Sequence, residues 1–68
     1  MAKMTLKAAR VNVDLSQKDA ATALGVSNKT LGNWESGVSF PKAHQIISIC
    51  DLYGVSYDDL IFLPNNSL

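Results

Sequence analysis

LSQKDAATALGVSNKTLGNWESG spans residues 15–37 and predicts two short helices that are joined at Gly25. Ser16 and Ser27 are of the type that caps helix N-termini, and Gly25 is of the type that ends a helix in the left-handed conformation. Ala21 is small where the two helices would cross closely. This arrangement predicts a helix-turn-helix, a motif whose second helix can enter the major groove of DNA.

The second predicted helix has an apolar stripe on one side and a polar face on the other. With about 100° between successive residues, Leu31 and Trp34 lie on the stripe. The opposite face consists of Asn28, Lys29, Gly32, Asn33 and Ser36. Lys29 carries its single full charge, and the other residues provide amide groups, a hydroxyl group and a glycine. A solvated surface would also be polar, but solvent-facing helices favour Glu, Lys and Arg over the poor helix formers Asn and Gly. Asn pairs with adenine and Lys with guanine, so the face favours contact with bases.

The remaining sequence predicts further helices and no long strand, so residues 1–68 are expected to form one all-α domain. Apolar spacing, capping residues and glycines indicate five helices and a tail, at about 5–13, 17–24, 28–36, 42–53, 57–62 and 64–68. In the last helix, Ser56 is the expected cap and Asp59 its capping-box partner, and Val55 with Leu60 forms a hydrophobic staple.

The charges are unevenly distributed although the formal net charge is zero. All six basic residues and three of the six acidic residues lie in residues 1–42, which gives +3, and the other three acidic residues lie in residues 43–68, which gives −3. Chance segregation of twelve charges is one explanation. The other is that one surface approaches phosphate while another repels it and so orients the encounter.

Composition excludes several classes of protein. One cysteine and one histidine allow neither a disulfide within the chain nor a structural zinc site, so neither metal nor cofactor is expected. No apolar run approaches the ~18 residues of a membrane span, and we expect a soluble, intracellular protein. The sequence has no recognisable set of nucleophile, base and orienting group, and therefore we do not expect an enzyme.

The sequence resembles the phage repressor and Cro family of helix-turn-helix domains, the Xre-type regulators, from about Leu6 to Ile61. A bare helix-turn-helix pattern is weak evidence, but the segments that follow it make the resemblance specific. Its motif residues stand here as Leu15-Ser16-Gln17, Ala21, Leu24-Gly25-Val26-Ser27, Leu31, Trp34-Glu35, Gly37, Pro41, Gly54-Val55-Ser56 and Asp58-Asp59-Leu60-Ile61.

The resemblance implies a compact five-helix, lambda-repressor-like domain that binds operator DNA as a homodimer and regulates transcription, as a phage or prophage repressor does. It implies base contacts from Ser27, Asn28, Lys29 and Asn33. Phosphate contacts would come from Gln17, Ser36, Ser39 and Lys42. It also implies that Arg10 pairs with Glu35, which is then structural despite its place near DNA.

Two questions stay open at this point. The apolar run Ile61-Phe62-Leu63 either closes the core or contacts a second copy across a two-fold axis. The same fold also serves protein-interaction modules such as antitoxins, so a toxin-type protein partner is the alternative to an operator alone.

Cys50 lies on the apolar stripe of its helix, where core packing is expected.

Overall fold

The computed structural model describes residues 3–62, and its secondary structure is mostly helical. The elements in chain order are β1 (Met4–Thr5), α1 (Leu6–Asn12), α2 (Gln17–Leu24), α3 (Asn28–Ser36), α4 (Ala43–Tyr53), a 3-10 turn (Tyr57–Asp59) and β2 (Leu60–Ile61). None of the helices described within residues 3–62 has the length and apolarity that crossing a membrane requires.

Hydroxyl caps set the starting points of the first three helices. The side-chain oxygens of Thr5, Ser16 and Ser27 accept hydrogen bonds from backbone N–H groups three residues later, at 3.1, 3.0 and 3.0 Å. The fourth helix begins differently, because the Gln45 side chain accepts a 2.7 Å hydrogen bond from the Lys42 backbone N–H. These caps satisfy donors that helix N-termini otherwise leave unpaired.

The connection between α2 and α3 requires a glycine. Gly25 has φ 75° and its backbone N–H donates to the carbonyl oxygen of Thr22, while the Val26 N–H donates to that of Ala21. A side chain at this φ would be strained, whereas glycine adopts it readily. The helix-turn-helix predicted from the sequence is therefore present, with α2 and α3 in contact.

The four helices enclose one core to which each of them contributes. Its buried members are Leu6, Ala9, Ala20, Ala21, Leu31, Trp34, Ile49, Tyr53 and Leu60. Leu31 and Ile49 are fully buried and fix the positions of α3 and α4 relative to the other helices. Core packing therefore determines which face of α3 remains outside.

The prediction of a fifth helix at 57–62 is wrong, because the structure has four α-helices within residues 3–62. Residues 57–59 form only a 3-10 turn, in which the Asp59 carboxylate accepts hydrogen bonds from the backbone N–H and the hydroxyl of Ser56. Leu60 and Ile61 then pair in parallel with Met4 and Thr5, which satisfies their backbone groups outside a helix. Thr5 is thus both a residue of β1 and the N-cap of α1, which begins at Leu6. The predicted tail at 64–68 lies outside the described residues.

Candidate nucleic-acid interface

The outer surface of α3 is polar, as its sequence predicted. Asn28, Lys29 and Ser36 are exposed, and Gly32 and Asn33 are half-buried. The opposite side of the helix, formed by Leu31, Trp34 and Glu35, is buried. We call the set Asn28, Lys29, Gly32, Asn33 and Ser36 the polar face of α3.

Glu35 is held inside the protein by Arg10. The Arg10 Nε atom lies 2.7 Å from Glu35 Oε2, and its Nη2 atom donates to Oε1 at 3.3 Å. The third arm of the guanidinium donates to the carbonyl oxygen of Leu15 at 2.8 Å, so the fork ties α1 to α3 and to the start of the α2 segment. The expected ion pair is present, and it neutralises a carboxylate that would otherwise lie beneath the polar face.

Gln17 connects this ion pair to the polar face, a link that sequence reasoning missed. Its Nε2 atom donates to Glu35 Oε1 at 3.1 Å, and its Oε1 atom accepts from Asn28 Nδ2 at 3.2 Å. The sequence assigned Gln17 to phosphate and Asn28 to a base as separate contacts. The sequence spacing does not indicate the link, because Glu35 is 18 positions and Asn28 is 11 positions from Gln17.

The Gln17 carboxamide packs against Gly32. A Cβ atom at Gly32 would lie 3.5 Å from Gln17 Nε2 and 3.6 Å from Oε1, which is ordinary van der Waals contact. An alanine at this position would therefore also fit beside the Gln17 carboxamide, and the contact does not require a glycine.

The other residues with expected base contacts differ in whether their side chains already make hydrogen bonds. The Ser27 hydroxyl caps α3 and also donates to Thr30 Oγ1 at 2.8 Å, so its hydrogen is already used. Within residues 3–62, the side chains of Lys29 and Asn33 have no hydrogen-bond partner. Their amide and ammonium groups are available to a ligand.

The end of α3 and the segment after it carry the other residues for which phosphate contacts are expected. Ser36, Ser39 and Lys42 are all exposed. The Asn33 carbonyl oxygen accepts from the backbone N–H groups of Val38 and Ser39 at 2.9 and 3.3 Å, which holds this segment against the end of α3. Ser39 is therefore held close to the polar face, of which Ser36 is a member.

An exposed cluster of aromatic rings lies beyond this segment. The rings of Phe40 and Phe62 are 4.9 Å apart between centroids, and those of Tyr57 and Phe62 are 6.0 Å apart. Phe40 is 61% exposed, Tyr57 57% and Ile61 42%. We call Phe40, Tyr57, Ile61 and Phe62 the aromatic surface. Of the run considered for a dimer contact, Ile61 and Phe62 belong to it, whereas Leu63 lies outside the described residues. Sequence reasoning missed Phe40, and the signal that could have found it is a large aromatic residue in a loop.

Two titratable groups of α4 belong to the core rather than to the interface. Burial raises the pKa of the Tyr53 phenol to about 12, and the nearby Glu35 carboxylate adds to this while Arg10 opposes it. Burial also raises the pKa of the half-buried Cys50 thiol, with smaller contributions from Asp51 and Asp59. Both groups stay protonated at neutral pH, and so neither adds charge to the core.

The Tyr53 hydroxyl is buried and has no hydrogen-bond partner within the described part of the chain. Replacing Tyr53 by phenylalanine is therefore expected to leave the free energy of unfolding unchanged or to raise it by up to about 1 kcal/mol, because it removes a desolvated polar group. Urea denaturation of both proteins measures the difference. A loss of stability in the variant would show that the hydroxyl makes a hydrogen bond.

Comparison with known proteins matches residues 6–60 to a family described as helix-turn-helix. The chain is 36% identical over 56 residues to the HTH-type transcriptional regulator ImmR of Bacillus subtilis (strain 168), a match that covers 82% of the chain and 44% of that regulator. It is 34% identical over 56 residues to the antitoxin PezA of Streptococcus pneumoniae serotype 4, covering 82% of the chain and 35% of that antitoxin. The chain thus spans less than half the length of these curated relatives.

Proposed function

The chain belongs to the helix-turn-helix family, and from that premise we propose that it binds double-stranded DNA sequence-specifically and regulates transcription. The observation that carries the proposal is the polar face of α3, where the side chains of Lys29 and Asn33 have no partner among residues 3–62. An α-helix fits the major groove of B-DNA, in which each base pair presents its own pattern of donors and acceptors.

Base recognition is assigned to Asn28, Lys29 and Asn33, with Ser27 beside them at the helix N-terminus. Carboxamides match adenine N6 and N7, and the Lys29 ammonium matches guanine O6 and N7. Because the hydrogen of the Ser27 hydroxyl is used within the cap, Ser27 is left as an acceptor only. The proposal therefore places most of the sequence preference on the two asparagines and the lysine.

Phosphate contacts are assigned to Gln17, Ser36, Ser39 and Lys42. Residues 15–42 contain three exposed lysines and one exposed aspartate, which gives an exposed charge of +2. Glu35 is not counted because it is buried and paired with Arg10. A surface of this sign attracts the DNA backbone. The acidic residues at 43–68 are repelled by phosphate, and this orients the polar face toward the duplex.

A second copy of the chain is the partner proposed for the aromatic surface. Half-sites one helical turn apart place two recognition helices about 34 Å from each other. The domain measures 31 × 30 × 21 Å, so two copies bound in this way touch at their edges. Phe40 follows α3 closely, which places the aromatic surface near the edge that a neighbour on the same operator would meet.

The homodimer is expected to be weak without DNA. An aromatic side chain buries about 150–250 Å² when fully covered, so two half-exposed rings offer far less than the ~800 Å² per partner of a stable interface. Asp58, next to Tyr57, is exposed, so a two-fold contact through the aromatic surface would bring the negative charges of two Asp58 side chains into one interface, where they repel each other. The operator would then hold the pair together.

The regulator is proposed to be a phage-like or prophage-like repressor that acts in the bacterial cytoplasm by occupying a pseudo-palindromic operator. The alternative is an antitoxin-type module that binds a protein partner as well as DNA. The similarity to PezA favours that second reading, with the aromatic surface as the contact. Both candidates use the polar face of α3 for DNA.

The affinity for a duplex enriched from a random library is expected to fall about a hundredfold between 50 and 200 mM salt. The reason is that two copies would bring four ammonium groups to the duplex, those of Lys29 in the major groove and those of Lys42 at the backbone, each with release of counterions. Fluorescence anisotropy with a labelled duplex measures the slope. Lys29→Gln should make the slope shallower, whereas Lys3→Gln, far from α3 in sequence, should not. A salt-independent affinity would contradict groove binding.

A further inference from the structure

Residues 37–42 join α3 to α4 and include two of the proposed phosphate contacts, Ser39 and Lys42. Lys42 is the last basic residue of the chain, since residues 43–68 contain three acidic residues and no basic one. Attraction for the DNA backbone at this segment therefore depends on one ammonium group. The position of the segment decides whether that group reaches a phosphate.

Hydrogen bonds hold the two ends of this segment but not its middle. Backbone N–H groups at its start donate to carbonyl oxygens at the end of α3. At its other end, the Lys42 N–H donates to Gln45 Oε1 at 2.7 Å. The Phe40 N–H has no acceptor within residues 3–62, and Pro41 has no N–H to donate. Residues 40 and 41 are therefore held by the packing of their side chains.

The Phe40 ring packs on the ring of Phe62, with centroids 4.9 Å apart and planes tilted by 49°. Phe62 is itself packed against the core, and it directly follows β2, which pairs with β1. Aromatic rings at this separation attract each other beyond the burial of their area. The middle of the segment is thus attached to a fixed point on the core, although Phe40 remains 61% exposed.

We infer that Phe40 is a positioning residue for the DNA backbone, because its contact with Phe62 holds the segment where Ser39 and Lys42 meet phosphate. The inference rests on the proposed function, in which Ser39 and Lys42 contact DNA. Phe40 lies between these two residues in the chain, so a displacement of its backbone displaces both. Phosphate contacts carry no sequence information, and the loss of Phe40 should therefore weaken binding to every sequence alike.

The test measures the binding of one copy to a duplex that carries a single half-site of the motif selected from a random library. A single half-site removes the homodimer contact, in which Phe40 is also proposed to take part. Fluorescence anisotropy at 50 and at 200 mM salt gives both the affinity and its salt dependence. Phe40→Ala should weaken binding at 50 mM salt about 2- to 12-fold, the range that corresponds to one hydrogen bond.

The salt dependence distinguishes positioning from a general loss of binding. Phe40→Ala should make the slope shallower by about one, as Lys42→Gln does, so its affinity should fall about fourfold less than that of the wild type between the two salt concentrations. In the Lys42→Gln background, Phe40→Ala should cost much less than it costs alone, since both changes remove the same contact. A variant that merely disturbed the fold would cost the same in both backgrounds.

Two further chains control for the substitution itself. Phe40→Tyr keeps a ring on Phe62 and should recover most of the affinity that Phe40→Ala loses. Ile47→Ala removes an apolar side chain that is 66% exposed on α4, and it should leave both the affinity and the slope unchanged. Thermal melts should show all of the variants to be folded, because the substituted residues are exposed.

The outcomes separate this inference from the proposal beneath it. If Phe40→Ala keeps the wild-type affinity and slope while Lys42→Gln makes the slope shallower, the inference is wrong and DNA binding stands. Equal costs of Phe40→Ala in the two backgrounds would also overturn it, as would a slope that Lys42→Gln leaves unchanged. If the wild-type chain selects and binds no sequence, the proposed function fails and the inference fails with it.

Discussion

Replacing Arg10 by methionine is expected to lower the free energy of unfolding by about 3–5 kcal/mol. The variant leaves the Glu35 carboxylate buried, with its side chain only 6% exposed, and without its cationic partner. It also removes the donor to the Leu15 carbonyl oxygen. A domain of this size has a total stability of about 3–10 kcal/mol, so much of the variant should be unfolded at 25 °C. Urea denaturation followed by circular dichroism measures the change.

The matched control removes both charges. The double variant Arg10→Met with Glu35→Met replaces the buried pair by apolar side chains, and it should recover most of the lost stability because no unpaired carboxylate remains. Tryptophan fluorescence of Trp34, which lies in the core, gives a second probe of folding. A single variant as stable as the wild type would show that the pair is not what keeps Glu35 inside the protein.

Replacing Asn33 by alanine is expected to weaken operator binding by about 1–3 kcal/mol for each half-site. Both copies of a homodimer carry the change, so the complex should lose about 2–6 kcal/mol. The fold should be unaffected, since the Asn33 side chain has no partner within residues 3–62 and alanine is the better helix former. Titration of a selected duplex at fixed salt measures the loss.

Asn12→Ala is the matched control for that experiment, because it makes the same change at an exposed position of α1. It should leave the affinity for the operator unchanged. Thermal melts should show both variants to be folded. Equal losses of affinity from Asn12→Ala and Asn33→Ala would place the DNA-binding surface elsewhere than on α3.

The parts of the fold that follow from local rules could be predicted from the sequence. Serine caps and a left-handed glycine determine the bounds of α2 and α3, and the apolar spacing of Leu31 and Trp34 determines the face that α3 buries. The fifth helix was predicted wrongly for a physical reason. Ser56 and Asp59 form the expected cap, but the pairing of β2 with β1 prevails over continuation of the helix, and strands of two residues have no periodicity to detect.

The candidate site likewise has some features that could be predicted from local sequence and others that depend on tertiary packing. The polarity of the outer face of α3 is visible in the sequence because it depends on helical spacing alone. The connection from Glu35 through Gln17 to Asn28 is not visible, because it depends on how α2 packs against α3 and on the contact between Gln17 and Gly32. Phe40 joins Tyr57 and Phe62 for a similar reason, since tertiary packing brings together residues from separate loops.

The most direct test of the account is a pair of selections from one random duplex library, with the wild-type chain and with Asn33→Ala. The wild type should enrich two related half-sites whose centres are about one helical turn apart. The variant should enrich the same motif with one base position in each half-site relaxed. An unchanged motif would contradict the claim that the polar face of α3 reads the bases, and so would a wild-type chain that enriches no sequence.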